Sequence, residues 1–372
     1  MYIIFKPTLR CNLNCLYCYE QFTPHKSEMT SSEMIQAIDF ALEYCKIAED
    51  DRVVFCWHGG ELFTISVAKL AEVMKYAEEK ASSLGIKIRQ IAQTNLTLVN
   101  EETVDLIRRY LNGGIGVSVD IGTKCRNTRS GIDAEPVIKE RLDFLLKNNI
   151  RCGAISLLTR RNIDKIEEIY TFFQCRRMNV RLSRVFPTTK EFDCADEMYL
   201  SDEEFAAAKI KYFDLWVSDK GHWADKEIIR ILGDMLSGKP YMCCRTGKCF
   251  TKHLSISPGG TLNPCPHYDS SGHIIGNFLE STPREVFKSA NLFSAKIPPL
   301  PQKCKQCRFF RICHGDCTSH RINIGYEYEC RSNILYWTHL EKWLKTQGLS
   351  LYKFENKTSV ELRNVMEAMI HG

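Results

Sequence analysis

The chain has 372 residues, 44% of them hydrophobic and 26% charged, and its formal net charge is +5. This length predicts two domains, and basic residues spread along the chain at so mild a charge argue against nucleic-acid binding. No apolar run is long enough to span a bilayer and the start does not resemble a signal peptide, so we expect no membrane association and a cytoplasmic protein. Eighteen cysteines in such a chain predict metal or redox chemistry rather than disulfides.

Strand and helix patterns alternate over the first 220 residues. Apolar and β-branched runs predict the strands, and apolar residues at helical spacing after serine caps predict the helices. The predicted strands cover residues 2–5, 52–57, 86–95, 114–120, 151–159 and 179–186, and the predicted helices cover residues 31–48, 67–85, 101–111, 135–149, 162–175 and 201–220.

Six βα units predict an α/β fold with a parallel sheet and right-handed crossovers. Both an open, partial (β/α)6 barrel and a doubly wound sheet fit this pattern, and in both folds ligands bind at the carboxyl ends of the strands. Several polar or thiol residues stand at or just after predicted strand ends, so we expect them to meet on one rim. They are Cys11, Gly59, Gly60, Glu61, Thr94, Asn95, Ser118 and Asp120.

The composition changes near Tyr241, where cysteine, glycine and proline become frequent and long periodic elements end. A Pro-Gly-Gly turn predicts a hairpin, and metal or clusters must stabilise a region with so few apolar runs. Helical periodicity returns near Asn333, and an apolar stripe in the last residues predicts either packing on the barrel or peptide binding. We therefore predict three parts, at residues 1–235, 236–335 and 336–372.

Two cysteine spacings carry the chemistry. Cys11, Cys15 and Cys18 form a C-x3-C-x2-C pattern. They could bind zinc together with a distant fourth ligand, or hold three irons of a [4Fe–4S] cluster whose fourth iron stays open. A second pattern, C-x2-C-x5-C-x3-C, is formed by Cys304, Cys307, Cys313 and Cys317.

The first pattern, with Tyr17 before its third cysteine, resembles the cluster loop of the radical S-adenosylmethionine (SAM) enzymes. In that family three thiolates hold a [4Fe–4S] cluster, and the methionyl amine and carboxylate of SAM chelate the open iron. Electron transfer then releases a 5′-deoxyadenosyl radical. The family's fold is a partial (β/α)6 barrel, which agrees with the six predicted units.

Other positions match this family residue by residue. Gly59, Gly60 and Glu61 resemble its "GGE", whose backbone and carboxylate receive the methionyl amine. The resemblance also implies further contacts with SAM or substrate. Ser118 and Asp120 would contact the ribose of SAM. Thr94 and Asn95 would lie near SAM and substrate, and Arg129 would contact the methionyl carboxylate.

The second cysteine set resembles the SPASM extension, which binds two auxiliary [4Fe–4S] clusters, so three clusters and SAM are implied as cofactors. Either Cys243 or Cys244 could be the first auxiliary ligand, and Cys243 is favoured because its spacing to Cys249 resembles the pattern of the anaerobic sulfatase-maturing enzymes. By resemblance one cluster takes Cys243, Cys249, Cys265 and Cys317, and the other takes Cys304, Cys307, Cys313 and Cys330.

The architecture resembles the anaerobic sulfatase-maturing enzymes, which oxidise a cysteine or serine to formylglycine. That family carries a carboxylate directly after the cysteine of its G-x4-C motif, whereas Pro266 stands there in this chain and cannot accept a proton. We therefore expect a different reaction of a radical SAM maturase of ribosomal peptides. It would cross-link side chains of a precursor peptide, with a carbon–carbon cyclophane bond favoured and a thioether possible, and with His267 or Asp269 as base.

Two alternatives stay open, which are sulfatase maturation itself and a non-catalytic iron–sulfur electron carrier. The expected partners are the precursor peptide and a flavodoxin- or ferredoxin-type reductant. Because the cluster loop begins at residue 11, we expect the leader to be recognised by a separate partner protein, by the SPASM region or by the tail.

Overall fold

The computed structural model describes residues 1–18, 20, 27–186, 196–219, 225–240, 245, 249–267, 272–323, 330–355 and 361–362. The chain divides into two units. The first comprises Met1–Val119, Lys124–Gly153 and Lys248–Ile297, and the second comprises Asp120–Thr123, Ala154–Gly247 and Pro298–Gly372. The three parts predicted from the sequence stay a prediction.

Nine strands occur in the described residues, and each of the six predicted strands is among them. They are β1 (Tyr2–Thr8), β2 (Arg52–Gly59), β3 (Lys87–Thr94), β4 (Gly114–Ser118), β5 (Arg151–Leu158), β6 (Asn179–Arg184), β7 (His253–Ile256), β8 (Thr261–Asn263) and β9 (Gly276–Asn277).

The helices of the described residues fall into two sets. The longer ones are α1 (Ser31–Ile47), α2 (Val67–Ser83), α3 (Glu101–Tyr110), α4 (Glu135–Lys147), α5 (Ile166–Cys175), α6 (Asp202–Ser218), α7 (Lys226–Ser237), α9 (Pro283–Ala295) and α13 (Cys330–Thr346). The short ones are α8 (Cys249–Lys252), α10 (Gln302–Lys305), α11 (Phe310–Cys313) and α12 (Thr318–Asn323). No described helix meets the length and hydropathy that a membrane crossing requires.

The first unit is built on strands in the order β4-β3-β2-β1-β7-β8-β9. The strands β1 to β4 pair in parallel, β7 pairs in parallel with β1, and β8 and β9 are antiparallel to their neighbours. Phe5, Phe55 and Trp57 pack their rings in the core beside these central strands. Parallel strands that are buried on both faces have nearly continuous apolar sequences, which explains why β1 and β2 could be predicted from the sequence.

The second unit holds β6 and most of β5, with α5, α6, α7 and α13. Aromatic rings fill its core, where Phe213 contacts Trp216 and Trp343, and Tyr170 contacts Tyr212. Each such ring removes a large apolar area from water, so these contacts stabilise the packing of α6 against α13 and against α5.

Two of the longer helices were not predicted, namely α7 and α9, and neither were the short helices α8, α10, α11 and α12. Asp225 caps the start of α7, and Gly238 ends it with a positive φ of 66°. Thr282 and Glu285 form a capping box at α9, which has Pro283 in its first turn and buries only a narrow apolar face. The expected loss of long periodic elements after residue 241 was therefore wrong, because local caps define α9 more than its periodicity does. The predicted hairpin is present as β7 and β8, joined by a turn at Pro258–Gly260.

The chain after α13 returns to the end of α7 in the second unit. The backbone N–H of Tyr352 donates to Met235 O, and that of Phe354 donates to Leu236 O, each at 3.0 Å. The Tyr352 hydroxyl donates to Arg308 O at 2.6 Å. These bonds favour a structural role for this part of the tail.

Burial of Asp225 makes the second unit sensitive to pH. Burial raises the pKa of this carboxyl to about 7, against hydrogen bonds from backbone N–H groups of α7 that lower it. At pH values between the ordinary pKa of an aspartate and about 7, folding is therefore coupled to the uptake of a proton by Asp225. The resulting stabilisation of the folded state is complete at pH values below the ordinary aspartate pKa and is lost as pH rises through about 7.

We predict that Asp225→Asn raises the melting temperature at about pH 8 more than at about pH 5, because asparagine still caps the helix and carries no charge. Thermal unfolding of the cluster-loaded protein at both pH values measures this. Asp219→Asn, at a partly exposed site near the same helices, is the control. An equal pH dependence in wild type and Asp225→Asn would contradict the prediction.

Candidate functional site

The cysteine loop after β1 is fixed by a second segment of the first unit. Asn14 N donates to Asn127 O at 2.7 Å, and Leu16 N donates to Cys125 O at 2.9 Å. Directly before Asn14, Leu13 pairs with Thr128 in antiparallel fashion. The backbone of the loop is thus hydrogen-bonded along most of its length, which prearranges the cysteines that it carries.

Arg129 lies at the same segment. Its guanidinium donates two hydrogen bonds to the carbonyl of Cys11, from Nη2 at 2.7 Å and from Nε at 3.1 Å. This side chain therefore lies on the backbone of the first cluster cysteine, and its contact with the methionyl carboxylate stays a prediction.

The Cys11 sulfur receives two N–H groups. Leu13 N lies 3.4 Å from Sγ, and Asn95 Nδ2 lies 3.6 Å from it. Burial raises the pKa of this thiol, and these two hydrogen bonds and the positive charge of Arg126 act against that shift. A thiol with donors on its sulfur suits a thiolate ligand, so the loop fits a metal cluster.

Arg126 was missed by sequence reasoning. Its guanidinium is 9% exposed and faces the ring of Tyr17 at 5.6 Å. Its positive charge lowers the pKa of both Cys11 and Glu61. The only signal was its place in the basic run KCRNTR, between the predicted Asp120 and Arg129.

Gly59 and Gly60 let the end of β2 lie directly on the chain that leads into the cysteine loop. Gly60 N donates to Thr8 O at 2.9 Å, and Glu61 N donates to Arg10 O at 2.8 Å. A Cβ on Gly60 would lie 2.1 Å from Arg10 O, and a Cβ on Gly59 would lie 2.1 Å from Thr8 O. Only glycine fits here, because the neighbours are backbone atoms that cannot turn away.

The Glu61 carboxylate joins the ends of β2 and β3. It is 1% exposed and accepts hydrogen bonds from Asn95 N at 2.6 Å, Thr94 Oγ1 at 2.7 Å and Phe63 N at 3.1 Å. Burial raises its pKa, and the same hydrogen bonds lower it. Its bonds hold the ends of β2 and β3 together, and its contact with the methionyl amine stays a prediction.

A buried ion pair secures the far end of the cysteine loop. Lys6 Nζ contacts Glu20 Oε1, and both side chains are almost fully buried. Burial and the charge of Lys6 lower the pKa of the neighbouring His58 to about 4, so this imidazole is neutral. The pair ties the residue two positions after Cys18 to β1, a contact that no local pattern predicts.

Ser118 and Asp120 take different hydrogen bonds. Ser118 ends β4 in the first unit, and its hydroxyl accepts from Gln93 Nε2 at 2.9 Å. Asp120 belongs to the second unit, is 3% exposed, and accepts from Leu157 N at 2.7 Å. Their predicted ribose contacts stay a proposal.

The second cysteine set assembles within the second unit. Cys304, Cys307 and Cys313 lie on or beside α10 and α11, and Cys330 begins α13. Burial raises the pKa of Cys330, and the nearby thiols of Cys304 and Cys307 raise it further. Burial likewise raises the pKa of Cys313 to about 12, with contributions from Asp316 and Cys330. Four thiols that influence one another in this way fit a cluster, whose irons would hold them deprotonated.

A buried polar network holds this set in place. The Asp316 carboxylate accepts from Arg245 Nε at 3.4 Å and from Asn333 Nδ2, while the Arg245 guanidinium lies 4.8 Å from the ring of Trp337. Asp316 thereby connects the segment after Cys313 to α13. These partners are separated by long stretches of sequence, so no spacing indicated them.

The other auxiliary set is described only in part. Cys249 begins α8 and Cys265 follows β8 in the first unit, whereas Cys317 belongs to the second unit. Cys243 and Cys244 lie outside the described residues, and so does Asp269. His267 lies two residues after Cys265 and is half-buried.

Two domain families match the chain. Residues 5–173 match the radical SAM superfamily, and residues 237–308 match the SPASM iron–sulfur cluster-binding domain. The chain is a radical SAM protein with a SPASM domain. The predicted cofactors, SAM and three [4Fe–4S] clusters, are confirmed, and so is the predicted fold class of a partial (β/α)6 barrel with a cysteine-rich extension.

Relatives of this radical SAM–SPASM protein extend over nearly all of it. It is 24% identical to a serine-type anaerobic sulfatase-maturating enzyme of Bacteroides thetaiotaomicron, over 100% of this chain and 96% of that protein. It is 24% identical to a cysteine-type enzyme of Clostridium novyi, over 86% of this chain and 88% of that protein. A solved structure of native anSMEcpe with bound AdoMet and Cp18Cys peptide has a TM-score of 0.80 at 20% identity, covering 93% of this chain and 98% of that chain.

These relatives correct the expected reaction. The prediction of a cross-linking peptide maturase, drawn from Pro266, was wrong, because the similar proteins are sulfatase-maturating enzymes of both serine and cysteine type. Pro266 changes one position beside Cys265, whereas the similarity covers both domains.

Proposed function

We propose that this radical SAM enzyme oxidises a serine or cysteine side chain of a peptide to formylglycine. The observation that carries the proposal is the match to a serine-type maturating enzyme along the whole chain. A peptide-bound structure among the similar folds supports a peptide as substrate. A flavodoxin- or ferredoxin-type protein is the proposed reductant.

We assign the cofactors to the cysteine sets described above. Cys11, Cys15 and Cys18 would hold the cluster that binds SAM, and Cys304, Cys307, Cys313 and Cys330 would hold an auxiliary cluster. Bound there, SAM and the clusters supply a hydrogen-atom acceptor and an electron acceptor. For contacts with SAM we propose Tyr17, Gly59, Gly60, Glu61, Thr94, Asn95, Ser118 and Arg129 of the first unit, and the contact proposed for Asp120 rests on the resemblance alone.

The chain's own residues must take up a proton. Oxidising a serine –CH2–OH to an aldehyde removes two hydrogens, which leave as one hydrogen atom, one proton and one electron. Pro266 has no basic atom, but His267 follows it and carries an imidazole that accepts a proton near neutral pH. We propose His267 as the proton acceptor, with Asp269 as the second candidate.

The proposal predicts the product. Anaerobic incubation of the reconstituted enzyme with SAM, reductant and sulfatase-derived peptides should yield an aldehyde that reacts with a hydrazine. The mass should fall by about 2 Da from a serine peptide, or by about 18 Da from a cysteine peptide as sulfur is exchanged for oxygen. A product about 2 Da lighter that does not react with hydrazine would contradict formylglycine formation.

His267→Gln should lower peptide oxidation by a factor of about 100 or more and leave substrate-free SAM cleavage unchanged, because a general base acts only on the substrate. The matched control is His273→Gln, in the same unit and also half-buried, where the imidazole contacts the ring of Phe293. Equal peptide oxidation in wild type and His267→Gln would remove His267 from the mechanism.

A further inference from the structure

The side-chain amide of Asn95 lies against the sulfur of Cys11. Nδ2 is 3.6 Å from Sγ, and Asn95 is only 7% exposed. The backbone N–H of Leu13 reaches the same sulfur at 3.4 Å. Two N–H groups therefore converge on one ligand sulfur, one from the cysteine loop and one from the end of β3.

A closed ring of hydrogen bonds orients this amide. Asn95 Nδ2 donates to Asn12 Oδ1 at 3.0 Å, and Asn12 Nδ2 donates to Thr97 Oγ1 at 2.7 Å. The Thr97 hydroxyl then donates to Asn95 Oδ1 at 2.7 Å, and Thr97 N reaches the same oxygen at 3.0 Å. A flipped amide would turn its oxygen toward the sulfur and lose these bonds. The ring commits one amide hydrogen to Asn12 and directs the other to Cys11.

The bond to sulfur is not needed to shape the loop between β3 and α3. The Glu61 carboxylate already holds the backbone N–H of Asn95, and Asn100 caps α3 through its bond from Thr103 N at 3.0 Å. The ring alone would also hold the side chain. The hydrogen directed at Cys11 therefore acts on the sulfur and, through it, on whatever the sulfur binds.

We propose that Asn95 raises the reduction potential of the cluster at Cys11. The inference rests on the cluster site assigned above. A reduced cluster carries one more negative charge, and an N–H donor to a ligand sulfur stabilises that charge. Asn12 and Thr97 act through Asn95 and are positioning residues.

The test is a redox titration of the anaerobically reconstituted enzyme, followed by electron paramagnetic resonance. The cluster at Cys11 is identified by the change of its signal when SAM is added. Asn95→Leu, which keeps the size of the side chain, should shift the equilibrium toward the oxidised cluster about tenfold, a decrease of about 59 mV. Thr97→Val, which removes the two bonds that the Thr97 hydroxyl makes in the ring, should shift it in the same direction by about threefold.

Asn100→Ala is the matched control, because it removes a hydrogen bond in the same loop and leaves the sulfur untouched. Its expected potential is that of the wild type. An unchanged potential in Asn95→Leu, or an equal shift in Asn100→Ala, would overturn the proposal. If Asn95→Leu does not retain the cluster, Thr97→Val decides: a lowered potential supports the role of Asn95, and an unchanged one overturns it. A failure to oxidise peptides leaves these potentials measurable, so the two proposals fail separately.

Discussion

Replacing Cys11, Cys15 and Cys18 together by alanine is expected to abolish SAM cleavage and lower the iron content from about twelve to about eight per chain. Each of the three thiolates would hold one iron, so their loss removes one cluster of four. Cys304, Cys307, Cys313 and Cys330, the proposed ligands of one auxiliary cluster, lie in the other unit, and none of the three replaced cysteines belongs to either auxiliary set. Iron and sulfide analysis of the anaerobically reconstituted protein, with an assay for 5′-deoxyadenosine, measures both effects.

A second triple variant separates loss of a cluster from loss of cysteines. Cys45, Cys152 and Cys175 lie on α1, β5 and α5, outside both cysteine patterns. Their joint replacement by alanine removes the same number of thiols and should leave iron content and SAM cleavage at the wild-type values. SAM cleavage that survives in the first variant, or iron loss of similar size in both, would contradict the assignment of the opening cysteine pattern.

The sequence predicted the elements whose pattern is local. β1 and β2 are apolar runs, β3 to β6 carry apolar residues at alternating positions, and α1 to α6 have apolar faces, so period and composition suffice for them. The cysteine spacings likewise lie within short stretches. The helix α9 was missed because its apolar face is short and gives a weak periodic pattern. The capping box and the proline in the first turn, which mark its start, are weak signals without such a pattern.

The contacts that shape the candidate site could not be predicted in the same way. Glu61 reaches Asn95, Asn95 reaches Cys11, and Asp316 reaches Arg245, each across many residues of chain. Sequence patterns predict that a residue lies at a strand end, but they do not predict which group its side chain will hydrogen-bond. Glu61 illustrates this limit, since its position was predicted and its bonding partners were not.

The error about the reaction has a different origin. One position beside Cys265 was given more weight than the arrangement of two whole domains. Pro266 does exclude a carboxylate at that position, but a proton acceptor can come from another residue of the same loop. The missing group was therefore evidence about which residue takes the proton and not about which bond is made.

Gly60→Ala should remove the SAM-binding cluster while leaving the second unit folded. The new methyl would lie 2.1 Å from Arg10 O and 2.8 Å from the carbonyl carbon of Leu9. Because those atoms are backbone, relief requires moving the chain that enters the cysteine loop. Forcing an extra carbon into a packed site commonly costs about 1–3 kcal/mol, and here the displacement falls directly before Cys11.

Gly153→Ala provides the comparison for this effect. Gly153 also lies in a strand of the first unit, β5, but a Cβ there would meet no atom within 4 Å. Replacing it should preserve the iron content, SAM binding and melting temperature, since alanine is also the less flexible residue in the unfolded chain. For Gly60→Ala we expect the iron content to fall toward about eight per chain and SAM binding to be lost, as in the cysteine variant. A Gly60→Ala protein with full iron content and normal SAM affinity would show that the end of β2 does not shape the cluster loop, and the glycine pair would then need another explanation.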